Sequence, residues 1–466
     1  MSAEKELKRK IVEEMNYSLT EKLFRQYYPL VIDKECGGYF SNVTYDWKLK
    51  AVQEKMIVTQ SRHIWAASKA AAFYPANPVF KETAVHGLNF LRNKFWDSKY
   101  GGFFQERSRD GGDSEVAGWA DQKRMYGNAF AVYGLAALYS LTGDEKVLDF
   151  AKEAFNWIEK YYYDPEYKGY FQFMTRDLKL FDKSDNIEVK AVDACEVGYK
   201  DQNSSIHLME AYTELYSVWK DEKLKKQLIG LLELIRDVQT HPKGYLQLFF
   251  EKDWTPVSFR NSAKEEREKN YQLDHVSFGH DYETAFLMLE ASFAAGLKND
   301  TKTLLHAKKM LDHALANGWD NNSAGFFDEG YYFEENGKCE IIKDSKNWWA
   351  QAEGLNALLL FSKIFPEEER YFELFLKQWD YVKKYLIDQE RGGWYWGSIE
   401  KQPESKLGSK SSIWQGTYHN GRALMNCMVM LADDEQINSL FNGSISHLKK
   451  ENDEFVEHWR ETADKL

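Results

Sequence analysis

The chain is short of helix breakers. Proline supplies 8 of its 466 residues, where ordinary usage of about 5% would give roughly 23, so long helices can run uninterrupted. Cysteine is equally scarce. Cys36, Cys195, Cys339 and Cys427 stand far apart, with no Cys-x-x-Cys pair and no histidine at metal-ligand spacing, a pattern that reads as four reduced thiols. No run approaches 18 uncharged apolar residues, so no transmembrane helix is expected. Residues 1–15 are crowded with Lys, Arg and Glu and lack an apolar core, so no signal peptide is expected and the cytoplasm is the expected location. A basic excess is also missing. The 61 Lys and Arg face 73 Asp and Glu for a net charge of −12, which argues against nucleic acid and anionic membrane as partners. No Gly-x-Gly-x-x-Gly follows a strand, and there is no Walker loop or His-Glu-x-x-His. His275 and His280 are five apart and lack a third ligand, so no metal site is expected.

What is abundant is aromatic: 15 Trp, 28 Tyr and 29 Phe. Many fall in a recurring turn. Gly37-Gly38-Tyr39-Phe40 returns as Gly101-Gly102-Phe103-Phe104, Gly169-Tyr170-Phe171, Gly244-Tyr245-Leu246, Gly325-Phe326-Phe327 and Gly392-Gly393-Trp394-Tyr395. The last glycines are 64, 67, 75, 81 and 68 residues apart. Asp33, Asp97, Asp164, Asp320 and Asp388 precede five of the copies, while the fourth has Thr240-His241-Pro242. Between turns the chain reads as helix pairs. Residues 128–141 are almost wholly apolar, the mark of a helix buried on most sides, and 146–162 carry one apolar stripe. The alternation repeats at 285–295 with 302–315 and at 352–361 with 371–386. Six such units predict an all-α fold, an (α/α)6 barrel with short β-containing loops at its mouth. With no Gly-, Pro- or Ser-rich linker, residues 1–466 read as a single catalytic domain, 436–466 being a polar C-terminal extension. Lys264–Lys269 reads as a solvated charge run.

In such a barrel the inner helices run one way, so residues near their N-termini share a mouth. Those residues are Arg62, Tyr126, His207, His280, Trp349 and His419. They follow their glycines by 24, 24, 38, 36, 24 and 26 residues. Three histidines in one pseudo-sixfold array point to acid–base chemistry, because a helix N-terminus favours neutral, proton-accepting imidazole. Glu283 lies three residues after His280 on the same face and is placed to orient its ring. Glu353, four after Trp349, and Arg422, three after His419, project the same way. Each carboxylate reads either as a catalytic partner or as a buried counter-ion of Arg62 or Arg422. Trp349 and Trp414 are placed to stack on a sugar face.

Three motifs carry a family resemblance: Phe278-Gly279-His280-Asp281-Tyr282-Glu283-Thr284, Trp348-Trp349-Ala350-Gln351-Ala352-Glu353 and Tyr418-His419-Asn420-Gly421-Arg422. Asn203, His207–Thr213 and Leu246–Phe250 add to them. From about Val31 to Met430 the chain resembles the N-acylglucosamine 2-epimerase family, and most closely its cellobiose 2-epimerase branch. The resemblance implies reversible inversion at C2 of a reducing-end aldose, without metal or nicotinamide. It implies His280 and His419 as the acid/base pair, His207 and Arg62 as stabilisers of the intermediate, and Glu283 as support for His280. Tyr126, Asn203, Trp349, Glu353, Trp414 and Arg422 would bind the sugar. A small-molecule sugar is then the expected partner, and the protein a monomer or weak homodimer. Residues 186–199 and 262–273 look longer than in that branch and are expected to reshape the site beyond C1, leaving disaccharide against glucose or mannose open. An aldose–ketose isomerase on the same fold, an (α/α)6 glycoside hydrolase and a non-catalytic sugar-binding protein are the competing readings. A hydrolase needs apposed carboxylates at the mouth, where this chain has histidines.

Overall fold

A computed structural model describes residues 3–114, 122–181, 196–335 and 337–466. Six inner helices are α2 (Ile57–Phe73), α4 (Met125–Thr142), α6 (Gln202–Val218), α8 (Phe278–Ala294), α10 (Trp348–Ile364) and α12 (Tyr418–Leu431). Most residues of α4 and α10 are buried, as their apolar sequences require. Around them lie α1 (Ala3–Tyr17), α3 (Pro78–Phe90), α5 (Glu145–Tyr161), α7 (Glu222–Leu234), α9 (Thr301–Gly318) and α11 (Arg370–Tyr385). These are amphipathic; α5 buries Val147, Phe150, Ala151, Ala154, Phe155 and Ile158. Side-chain caps start several of them, with Asp144 accepting from Lys146 N, Asp221 from Leu224 N and Asp300 from Thr303 N.

The sixth outer helix does not follow α12 in sequence. It is the N-terminal α1, whose Glu14 accepts from Trp379 Nε1 at 2.9 Å and from Lys383 Nζ at 2.7 Å on α11. The residues after α12 do another job. Asp434–Phe441 (α13) and Ser446–Ala463 (α14) run across the far end of the barrel. Ser444 Oγ donates to Phe73 O at the end of α2, and Phe455 and His458 pack on Phe293 in the last turn of α8. Trp459 is fully buried there. The polar extension therefore closes the floor.

Five of the six aromatic turns are held the same way. Asp33 Oδ1 accepts from Cys36 N, and Asp33 N bonds Gly38 O. A buried lysine just ahead of an inner helix then reaches the aspartate: Lys55–Asp33 at 3.0 Å, Lys123–Asp97 at 3.0 Å, Lys200–Asp164 at 2.8 Å, Lys346–Asp320 at 2.7 Å and Lys410–Asp388 at 2.7 Å. The fourth repeat lost both partners together: His241 replaces the acid and Val276 stands at the lysine position. The turn glycines are needed for close approach as well as for positive φ. At Gly102 (φ 73°) a Cβ would lie 2.3 Å from the Trp157 ring.

Two-residue strands lead into the inner helices and pair with the segment after the next turn. Lys55–Met56 pairs with Glu106–Arg107, Lys123–Arg124 with Phe173–Met174, and Lys200–Asp201 with Phe249–Phe250. Val276–Ser277 joins a hairpin of Glu329–Tyr332 and Cys339–Lys343. These are the β-containing loops expected at the mouth, and they stitch neighbouring repeats together there. No described helix is long and apolar enough to cross a membrane.

Candidate active site

Arg62, Tyr126, Asn203, His207, His280, Glu283, Trp349, Trp414 and His419 all line one cavity of about 320 Å³ at the mouth, with Trp348 and Trp396. The volume is at the small end for ligand pockets. Apart from Trp396 and Trp414, which lie in connecting segments, the mouth residues come from the first two turns of the inner helices, which is why the array read from the sequence converges on one space. Trp349 stands between two histidines, its ring 4.7 Å from His280 and 5.6 Å from His419. Trp348 and Trp396, which the sequence reading had not singled out, lie 4.2 Å apart, and Trp396 is 41% exposed.

Two expected substrate-binding residues lie elsewhere. Glu353 and Arg422 are buried one helical turn beneath the mouth and do not line the cavity. With Glu210 and Glu283 they form a charged layer. Arg422 Nη2 is 2.5 Å from Glu283 Oε1 and 2.7 Å from Glu353 Oε1. Its Nη1 pairs with Glu210 Oε1 and donates to Tyr418 Oη at 2.6 Å. The carboxyl groups thus gather on Arg422 and not on Arg62.

Each histidine is anchored through Nδ1. His207 bonds Glu210 Oε2 at 2.8 Å and His419 bonds Glu353 Oε1 at 2.7 Å. His280 bonds Ser277 Oγ at 2.8 Å. Glu283 does not support His280 as expected: its carboxylate is drawn to Arg422 and lies 3.9 Å from His419 Nδ1. Ser277 and Glu210 were missed, although Glu210 follows His207 by the three residues that separate His280 from Glu283. Anchoring Nδ1 leaves Nε2 as the nitrogen each ring offers to the cavity. Burial pushes His280 down to about 3, with His207 and His275 adding to the effect. Burial likewise holds His419 well below the usual histidine range, helped by Arg62 and Arg422. Both rings are neutral at physiological pH. Burial works to raise Glu210, but Arg422 and His207 bring it down to about 2.

Arg62 contrasts with Arg422. It is 5% exposed, donates to Tyr126 Oη at 2.8 Å and lies over the Phe130 and Tyr418 rings at 4.3 and 4.8 Å. Among the described residues no carboxylate pairs with it, and its Nε has no partner. A buried cation without a counter-ion stands ready for an anion. Asn203 Oδ1 is also unpartnered. Of residues 262–273 none lines the cavity; they form two short helices, Lys264–Lys269 and Tyr271–Asp274. Asp274, at the end of the second, accepts from Phe259 N and Tyr331 Oη. Of the other insertion, 186–195 lie outside the described residues. Glu283, Glu353 and His419 bring ligand atoms within 4.8 Å of one another, but Arg422 already occupies the two carboxylates, a poor arrangement for a metal ion.

The family profile of N-acylglucosamine 2-epimerase matches residues 38–421. The chain belongs to this family of carbohydrate epimerases. A cellobiose 2-epimerase of Bacteroides fragilis is 27% identical over 422 residues, covering 90% of this chain and 98% of its own. The solved cellobiose 2-epimerase of Bacillus thermoamylovorans B4167 superposes with a TM-score of 0.76 at 26% identity, over 90% of this chain and 99% of that one. A D-mannose isomerase of Marinomonas mediterranea is more distant, 23% identical over 80% of this chain and 86% of its own. The helical barrel agrees with the architecture expected from the repeats.

Proposed function

We propose that the protein is a sugar 2-epimerase that interconverts C2 epimers at the reducing end of an aldose or disaccharide through an enediolate. The observation that carries this reading is the mouth cavity. Three histidines with anchored Nδ1 surround it, together with one arginine that has no carboxylate partner among the described residues. The opened sugar presents a C1 aldehyde, which acidifies the C2 proton. His280, neutral and partly open to the cavity, takes that proton on Nε2. The C2–H electrons move into a C1–C2 double bond and negative charge develops on O1. Arg62 meets this charge, with His207 beside it, in a site whose donors are already oriented. His419, across Trp349 from His280, returns a proton to C2 from the opposite face and leaves the epimer. The reverse reaction exchanges the two roles. Trp349, Trp414 and Asn203 hold the sugar, and Tyr126 orients Arg62. The relatives named as cellobiose 2-epimerases make cellobiose the first substrate to try.

The carboxylates weigh against hydrolysis. Glu283 alone of the three carboxyl groups bound to Arg422 lines the cavity, while Glu210 and Glu353 lie beneath it, so the mouth lacks the apposed pair of carboxyl groups that an acid and a nucleophile would form. The test is incubation of cellobiose, glucose and mannose in D2O with NMR observation of C2–H. Deuterium at C2 and a C2 epimer are expected, and H280A and H419A should each lower the exchange by about 10²–10⁴-fold. No exchange with any aldose overturns the reading, and a ketose as main product replaces it with aldose–ketose isomerisation.

A further inference from the structure

The layer beneath the cavity holds more negative than positive groups. Arg422 is shared by Glu210, Glu283 and Glu353, all 4% exposed or less, while Arg62 faces the cavity without a carboxylate. With every carboxylate ionised and the histidines neutral, three negative charges would sit beside two arginines in a space nearly closed to water. Glu283 and Glu353 also crowd one nitrogen, Arg422 Nη2, and two carboxylates so placed do not both ionise readily. One of them holds a proton, and that proton needs an acceptor. Glu283 has none among its described contacts: its Oε1 faces the guanidinium and its Oε2 is unpartnered. Glu353 has one. Its Oε1 lies 2.7 Å from His419 Nδ1, and its Oε2 is unpartnered.

We propose that Glu353 rests as a neutral carboxylic acid donating its proton to His419 Nδ1, so that the resting enzyme presents His419 with a proton on Nε2. Burial and the neighbouring Glu283 and Glu210 hold this carboxyl well above the usual range, against the pull of Arg422. Glu210 is the opposite case. Ionised beside Arg422, it accepts from His207 Nδ1 at 2.8 Å. The three rings are then unequal before any sugar arrives. His419 is a loaded acid because Glu353 stands behind it; His280, on a serine hydroxyl, is not loaded.

Within the proposed reaction the step balances. A C2–H bond forms as His419 Nε2–H breaks, and the electron pair of that N–H stays on Nε2. In the same movement the Glu353 O–H breaks as His419 Nδ1–H forms, so the ring stays neutral and a carboxylate is left. The proton taken by the opposite base leaves to solvent, and the pair is reloaded from solvent between turnovers. Glu353 is thus a positioning residue that stores the proton and sets the tautomer of His419, without touching the sugar.

This inference uses the epimerase reading for its meaning, but its test needs no substrate. Histidine-labelled enzyme at pH 7 should show by 15N NMR a protonated Nε2 on the ring that disappears in H419Q. Infrared difference spectra should show one protonated-carboxyl C=O component, shifted in D2O, that is lost in E353Q and retained in E283Q, other buried carboxyls contributing equally to all three proteins. A bare Nε2 with Nδ1–H on His419 in the resting wild-type enzyme overturns the proposal, as does loss of the band in E283Q but not in E353Q. The NMR measurement on wild-type enzyme decides the question even if a carboxylate variant fails to fold. A normal result in both spectra with no C2 exchange would fail the epimerase reading and leave the proton assignment standing.

Discussion

At the scale of single residues, the two cavity arginines show how partners decide what a side chain does. Arg422 has three carboxyl groups and a tyrosine hydroxyl; burial works against its charge, but these partners hold it charged and fixed. Arg62 has a tyrosine hydroxyl and the faces of two rings. Its charge is therefore available to an oxyanion, and Coulomb attraction in a site shielded from water is strong. Arg62→Gln keeps a donor of similar length but removes the charge. It should lower kcat for C2 exchange by about 10²–10³-fold while the melting temperature changes little, since no ion pair is broken. Steady-state kinetics beside calorimetry checks both halves. Loss of stability without loss of turnover would make Arg62 a packing residue.

At the scale of elements, the repeat was legible because its turn needs glycine at positive φ followed by buried aromatics, and few other residues satisfy both demands. The mouth array followed from the turns, since a fixed spacing from each glycine lands on the same helical level. The locking lysines were not legible from the motif. They lie 22, 26, 36, 26 and 22 residues from their aspartates, and surface lysines are common. Ser277 was hidden for another reason: a serine before a helix reads as a cap, and only the fold reveals that its hydroxyl meets His280. That Glu353 meets Arg422 could be named only as one of two readings, because the contact depends on how a separate inner helix, α12, is placed beside α10. The floor was hidden by composition. Helix α14 is polar along most of its length, yet Trp459 is fully buried and Phe455 packs on α8. Trp459→Ala leaves a cavity under the inner helices and should cost about 3–5 kcal/mol of unfolding free energy, read from denaturant melts at constant slope. A cost below about 1 kcal/mol would show that α14 lies on the barrel without supporting it.

For the whole molecule, burial acts on acids and bases in opposite senses, and pH decides the balance. Burial raises Glu106 and Glu290 to about 7 and Asp201 and Asp328 to about 6. These folded-state values exceed the unfolded ones, so the stability they contribute is present in acid and is lost as pH rises through 6 and 7. Burial lowers His63 and His280 to about 3 and His313 to about 4. Their contribution has the opposite sign: it is present above about 6.5 and is lost as pH falls. Four carboxyls against three histidines nearly cancel between pH 5 and 7. Asp281 and Glu353, both raised by burial, then outweigh His419, which burial lowers, and tip the balance toward acid. Lower still, the sign reverses. Although burial works to raise Asp33, Asp97 and Glu210, their arginine, lysine and histidine partners bring them down to about 2. The bond from Arg236 does the same for Asp237. Stability from these four groups is present above about 4 and drains away as pH falls toward 2. The melting temperature should therefore be at least as high at pH 5 as at pH 7, and should drop steeply below about 4. Calorimetry across that range in constant ionic strength checks it. A lower melting temperature at pH 5 than at pH 7 would mean that the histidines dominate and that the buried carboxyls, Glu353 among them, are ionised in the folded barrel.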